Sequence, residues 1–203
     1  QTFDAFSAVY KGVDDFTFNY AYSERVNGIT PEFNSNTNDN LVNISYNGFT
    51  WGKFIAYSYN LQNDDDTLSL APNLIDVNPS LRYVTNDSVG LRFDGAYNLQ
   101  TKVPLRAIYR AEYAHQEAKV YDKPNVENTY EADYKLAELG LVWAFVEGKF
   151  SLSPLLGYES LGSDDGSYGL QTPYATKHAF NGWADQFLIT PKEGLIDEYI
   201  LLG

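Results

Sequence analysis

Between Leu105 and Ala114 the side chains alternate without a break. Leu105, Ala107, Tyr109, Ala111 and Tyr113 fall on one parity; Arg106, Ile108, Arg110, Glu112 and Ala114 fall on the other. Successive side chains of an extended chain point to opposite faces, so this period of two predicts a strand with an apolar face and a charged one. The pattern recurs. Phe16, Phe18, Tyr20 and Tyr22 oppose Thr17, Asn19, Ala21 and Ser23, and Val89, Leu91, Phe93, Gly95 and Tyr97 oppose Gly90, Arg92, Asp94, Ala96 and Asn98. Ala137, Leu139, Leu141 and Trp143 oppose Glu138, and Leu152, Pro154, Leu156 and Tyr158 make a further apolar set. Tyr130–Ala144 holds several good helix formers, but its tyrosines and hairpin-like neighbours favour a strand. The apolar residues make up 44% of the chain at a mean hydropathy of only −0.36, as interleaving requires.

The pattern predicts an all-β chain of about nine antiparallel strands, each of about ten residues. They are expected at Asp4–Lys11, Phe16–Ser23, Leu41–Tyr46, Lys53–Asn60, Val89–Asn98, Leu105–Ala114, Tyr130–Phe145, Phe150–Glu159 and Ile196–Leu202. Tight turns follow the odd strands: Gly12–Asp15, a segment with Asn47-Gly48, Gln100–Pro104 and Val146–Lys149. Long polar connections follow the even ones: Asn27–Asn40, Leu61–Asp87, Glu117–Asn128 and 162–195. Such short–long alternation is the signature of a transmembrane β-barrel with short periplasmic turns and long external loops, rather than of a sandwich. No apolar run reaches the length of a membrane-spanning helix. The expectation is one β-barrel domain over residues 1–203. An odd strand count and the cost of an unpaired edge in lipid lead us to expect it to be incomplete at both ends.

In such a barrel the apolar face meets lipid and the other lines the lumen. Arg92, Asp94, Arg106, Arg110, Glu112, Glu138 and Glu159, with Asn19, are the expected lumenal side chains. They would brace the wall as cross-strand charge pairs or set a field that selects solutes. Tyr22, Tyr59, Tyr113 and Trp143 are candidates for an interfacial aromatic girdle. The stretch Gln171–Leu195 breaks the alternation and is read as an external or constriction loop. Phe180, Trp183, Phe187 and Leu188 are too apolar to stand together in water, so they are expected to pack in the barrel mouth or against its rim. Lys177, His178, Trp183, Asp185 and Lys192 would then line a constriction and meet a passing solute.

A net charge of −13 argues against a nucleic-acid partner. The absence of cysteine removes disulfides and thiolate metal sites. No hydrolase, phosphate-loop or zinc-protease motif occurs, and His115 and His178 are the only histidines. No catalytic residue, metal or cofactor is expected. Asp64-Asp65-Asp66 and Asp164-Asp165-Gly166 lack calcium-loop spacing and read as solvated acidic loops.

Gln171-Thr172-Pro173, Ala175-Thr176, the run His178–Asp185, Phe187-Leu188, Thr190-Pro191 and Gly194-Leu195 resemble the C-terminal half of alginate-export-family outer-membrane proteins. Gln1–Asp4, Ala111–Ala114 with Gln116, Ala137–Gly140 and Gly157–Glu159 with Leu161-Gly162 look similar in the same order. The resemblance implies a monomeric porin-like barrel in the outer membrane of a Gram-negative bacterium, in contact with its lipid. It would pass small or anionic solutes, including polysaccharide, passively. Two other readings are a surface barrel whose loops bind partners and a lipid-modifying barrel enzyme with His115 or His178 as base.

Overall fold

In the computed structural model, which describes residues 2–27, 34–63, 83–123, 126–145, 150–173 and 189–203, the chain is all-β. The described residues contain no helix. The strands are β1 (Thr2–Tyr10), β2 (Phe16–Asn27), β3 (Ser35–Phe49), β4 (Gly52–Gln62), β5 (Tyr83–Leu99), β6 (Leu105–Lys123), β7 (Val126–Phe145), β8 (Phe150–Leu152), β9 (Pro154–Leu161), β10 (Ser163–Asp164), β11 (Tyr168–Gly169) and β12 (Leu195–Leu202). They form one antiparallel sheet in the order β1-β2-β3-β4-β5-β6-β7-β9-β12, with β8 also on β7. The small hairpin β10–β11 stands apart. The sheet does not close: among the described residues β1 pairs only with β2, and β12 only with β9.

Strands β2 to β7 outrun their clean alternation. The segment Ser35–Asn40, expected in a loop, extends β3, and Asn36 and Asp39 pair with Arg25 and Ser23. Asn47-Gly48 is not the β3–β4 turn: the register shifts between Tyr46 and Phe49, so the pair forms a bulge inside β3 and Thr50-Trp51 makes the turn. The expected long connection Glu117–Asn128 is instead the far end of an extended hairpin, in which Glu117 pairs with Glu131 and Tyr121 with Glu127. Its polar residues from Glu117 to Tyr121 keep strand geometry because each stands opposite a residue of β7, where the backbone groups find partners. The expected strand Phe150–Glu159 is broken at Ser153, whose backbone exchanges hydrogen bonds with Gly203.

The two faces differ sharply. On one, Leu91 is 65% exposed, Leu139 60% and Ile200 75%. Along the short-turn edge of this face an aromatic band runs from Tyr10 through Phe18, Phe16, Tyr46, Phe49, Trp51 and Phe93 to Tyr109, consecutive ring centroids lying 4.7–6.1 Å apart. Towards the other edge the apolar side chains give way to hydrogen-bonded polar pairs: Asp4 with Asn27, Asn40 with Tyr20, Asn60 with Asp87, and Asp133 with both Tyr113 and His115. Of the four girdle candidates, Tyr22, Tyr113 and Trp143 lie on this face. Tyr59 does not. It shares the polar face with Tyr57, and the two rings stack at 4.9 Å.

The buried core lies on the polar face and is made by a turn back of the chain. After β9, the segment Gly162–Gln171 folds over β6 and β7 and buries Tyr168 and Leu170 against Ala118, Val120, Ala132 and Leu161. The amide of Gly162 donates to the Asp133 carbonyl at 2.8 Å, and a Cβ there would stand 2.7 Å from the same oxygen. Of Asp164-Asp165-Gly166, expected in an acidic loop, Asp164 ends β10 and pairs with Tyr168, while Asp165 and Gly166 open the turn to β11. Asp165 (φ 45°) and Gly166 (φ 73°) are left-handed, and Ser163 Oγ accepts from the Gly166 amide.

Gly162→Ala meets backbone that cannot yield and should cost about 1–3 kcal/mol. Gly12→Ala meets only the swinging end of the exposed Tyr10 ring and should stay within about 0.5 kcal/mol of the parent. Denaturant midpoints of the two variants check this; equal stabilities would contradict the close approach at Gly162.

Candidate functional site

Strand register sets the site. Arg92 stands opposite Glu112, and Asp94 opposite Arg110, which in turn faces Glu138. Because paired residues of neighbouring strands share a face, five charged side chains meet on the polar side of β5, β6 and β7. Arg92 grips Asp94 with two nitrogens, at 2.8 and 3.0 Å, and lies 3.8 Å from Glu112. Arg110 reaches Asp94 at 2.7 Å and Glu138 at 3.0 Å. Glu112 and Glu138 are the most covered, at 13% and 14% side-chain exposure, and both are paired, as carboxylates at such positions must be.

Tyrosines end this chain on both sides. Tyr57 of β4 donates to Glu112 at 2.6 Å, and Tyr199 of β12 donates to Glu138 at 2.6 Å. Each phenol crosses a whole strand to do so. Tyr57 stands opposite Gly90, and Tyr199 opposite Gly157. A Cβ at either glycine would collide with the tyrosine ring. The missing side chain is what lets the ring lie flat over the intervening strand and reach the carboxylate beyond. Tyr109 does the same on the apolar face, lying over Gly95 to donate to the Trp51 carbonyl at 2.7 Å. The result is a continuous polar chain, Tyr57–Glu112–Arg92–Asp94–Arg110–Glu138–Tyr199, tying β4 to β12 across the strands between them.

Six of the seven expected lumenal residues sit together on this face: Arg92, Asp94, Arg110, Glu112, Glu138 and Glu159. Glu159 takes its hydrogen bond from Tyr134 at 2.6 Å. Arg106 shares the face but stands nearer the short turns, opposite Asn98 and Val142, exposed and without an ion-pair partner among the described residues. Asn19 faces Asn43, its amide 3.4 Å from the partner's oxygen. The tyrosine–glycine pairings were not read from the sequence, since they depend on which strands become neighbours.

Lys177, His178, Trp183 and Asp185, with Phe180, Phe187 and Leu188, lie outside the described residues, as do Asp64-Asp65-Asp66. Lys192 is exposed, with its amine 3.8 Å from Glu193, while its carbonyl accepts from Ser163 Oγ at 2.5 Å. His115 lies on the opposite face, 3.0 Å from Asp133, and among the described residues no serine is its hydrogen-bond partner. Among the described residues no cluster of His, Asp and Glu has the arrangement of a metal site.

Above the charges, towards the long connections, the hairpin is fastened to the sheet. Gln116, on the polar face of β6, accepts from the Gln171 amide at 2.9 Å and from Tyr168 at 3.1 Å, and donates to the Gln171 carbonyl at 2.8 Å and Ser88 at 3.2 Å. Burial raises the Tyr168 hydroxyl above the ordinary phenol range, against a smaller lowering by Asn86, so it remains a donor at neutral pH. Comparisons with protein-family models, with curated proteins and with solved structures each found no match to this chain.

The glycine-bridged pair at Tyr57 makes a double-mutant test. Tyr57→Phe and Gly90→Ala should each destabilise by about 1–2 kcal/mol, one by deleting the bond to Glu112 and the other by lifting the ring. Combined, they should cost less than the sum, since the hydrogen bond can be lost only once. Strict additivity of the unfolding energies would show that the ring's position over Gly90 is irrelevant to the bond.

Proposed function

We propose that this sheet is part of the wall of an outer-membrane β-barrel, and that the barrel is a passive channel for small solutes. The observation that carries the reading is the pairing of two unlike faces on one sheet. One face exposes large apolar side chains with an aromatic band at its edge, and the other carries charges that are tied to one another. A soluble sandwich would have to bury one of them: the apolar face is left uncovered here, and the charged face is unsuited to a dry core. Lipid outside and water inside accommodates both.

Strand direction adds a constraint. Along the nine-strand path β1 and β12 run the same way, so antiparallel closure takes an odd number of additional strands between them. A second copy in the same membrane orientation would set its β1 parallel to β12, which favours further strands over a dimer as the remainder of the wall.

Within this reading the ladder serves chiefly as a brace, because its two guanidiniums are already held by carboxylates. Arg106 is free to act on solutes. The hairpin over the polar face also supports a second reading, a plugged barrel whose outer loops bind a partner.

Planar-bilayer recordings separate the two. The channel reading predicts discrete conductance steps; their absence from the full-length protein would refute it. Arg106→Ala should shift the reversal potential towards cation preference while leaving stability unchanged. Arg110→Ala should in addition lower stability by about 1 kcal/mol, since it strips Asp94 and Glu138 of a partly exposed partner. Equal stability losses in the two variants would contradict the division between brace and free cation.

A further inference from the structure

The segment after β9 leaves the sheet and comes back onto it, and one side chain meets it there with every polar atom it has. Gln116 is 3% exposed, on a strand face otherwise lined at this height by Ala114 and Ala118. Its amide oxygen and nitrogen bind the amide and carbonyl of a single residue, Gln171, as a neighbouring strand would. The remaining capacity is taken by Tyr168 and Ser88, so no donor or acceptor of the side chain is left over. Around it Tyr168 stacks on Tyr130 at 5.3 Å, and the buried Asn86 donates to the Tyr168 oxygen at 3.4 Å.

Gln171 passes the attachment on. Its own side-chain nitrogen donates to the Gly169 carbonyl at 2.8 Å and to the Thr190 carbonyl at 3.0 Å. Thr190 belongs to the returning leg of the same connection, before β12. Gly169 lies so close to the Pro191 carbonyl that a Cβ would have no room. Both legs are thus joined to each other, and the joined pair is held to β6 through Gln116.

We propose that Gln116 is the positioning residue that fixes the base of the 162–195 connection on the lumenal wall, and so sets the bore of the channel at that level. The proposal rests on the channel reading above. Held at both legs, the base acts as a standing constriction and does not swing with solute. A leucine could fill the space but would leave the Gln171 amide and carbonyl without partners in a buried site, which is more costly than losing a surface contact.

The chain has no cysteine, so Leu170→Cys, at a position 4% exposed, supplies one thiol buried under the hairpin. The full-length protein reconstituted in vesicles is labelled with a membrane-impermeant maleimide, with Gln116 intact, as Gln116→Ala, and as the near-isosteric Gln116→Glu, which accepts but cannot donate to the Gln171 carbonyl. Labelling should quicken by about tenfold or more in both variants, because buried hydrogen bonds govern such local opening. Heat-modifiable migration of each variant verifies that the sheet itself has folded. Unchanged labelling in folded variants would overturn the role of Gln116. In bilayers without the cysteine, unit conductance should rise in Gln116→Ala; faster labelling with unchanged conductance would overturn its control of the bore. If the parent gives no conductance while labelling still quickens, the channel reading fails and the fastening by Gln116 stands.

Discussion

Strand register governs both faces of this sheet at once, since a slip of one residue in any strand would send its charges to the apolar side and its leucines to the polar side. The polar chain from Tyr57 to Tyr199 is where that constraint becomes specific. Arg110 can meet Asp94 and Glu138 only if β5, β6 and β7 are aligned as found, and Tyr57 and Tyr199 can reach their glutamates only if Gly90 and Gly157 stand beneath them. Backbone hydrogen bonds hold strands together in any register. The side-chain chain selects one.

The same register places the fastening of the hairpin. Gln116 lies on the polar face two pairs above Glu112, and Ser88 stands directly opposite it. The polar face of the sheet therefore carries two different polar structures in sequence along its length. The lower one is charged, cross-braced and accessible to water. The upper one is neutral, buried and saturated, as the polar groups of a small core must be. Alanines at 118 and 132, whose small side chains leave room for Tyr168 and Leu170, make the upper one possible.

The period of two was enough to read the faces of β2, β5, β6 and β7, and with them most of the charged ladder, because alternation is a local property of an extended chain. It failed where a residue type suits either face. Tyr59 looked like a girdle tyrosine, yet its hydroxyl end serves as well on the polar side, and only register tells which. Asn47-Gly48 carried turn chemistry that the structure uses as a bulge, since the hairpin closes two residues later at Thr50-Trp51. The far halves of β6 and β7 were read as loop because Glu117–Asn128 is polar; they are strands because Glu117–Tyr121 of one face Glu127–Glu131 of the other, a fact no single segment carries. The glycine-supported tyrosines and the Gln116–Gln171 fastening join residues far apart in the chain, and no local pattern announces them.

The central claim is that this sheet faces lipid on one side and water on the other. Single cysteines placed along β5 from 89 to 97, leaving Gly90 and Gly95 beneath their tyrosine rings, in a chain that has none of its own, allow spin labels to report contact with a lipid-soluble or a water-soluble relaxant in the reconstituted protein. The account predicts alternation, with positions 89, 91, 93 and 97 open to the lipid-soluble reagent and 92, 94 and 96 to the aqueous one. Uniform accessibility, or alternation of the opposite phase, would contradict it.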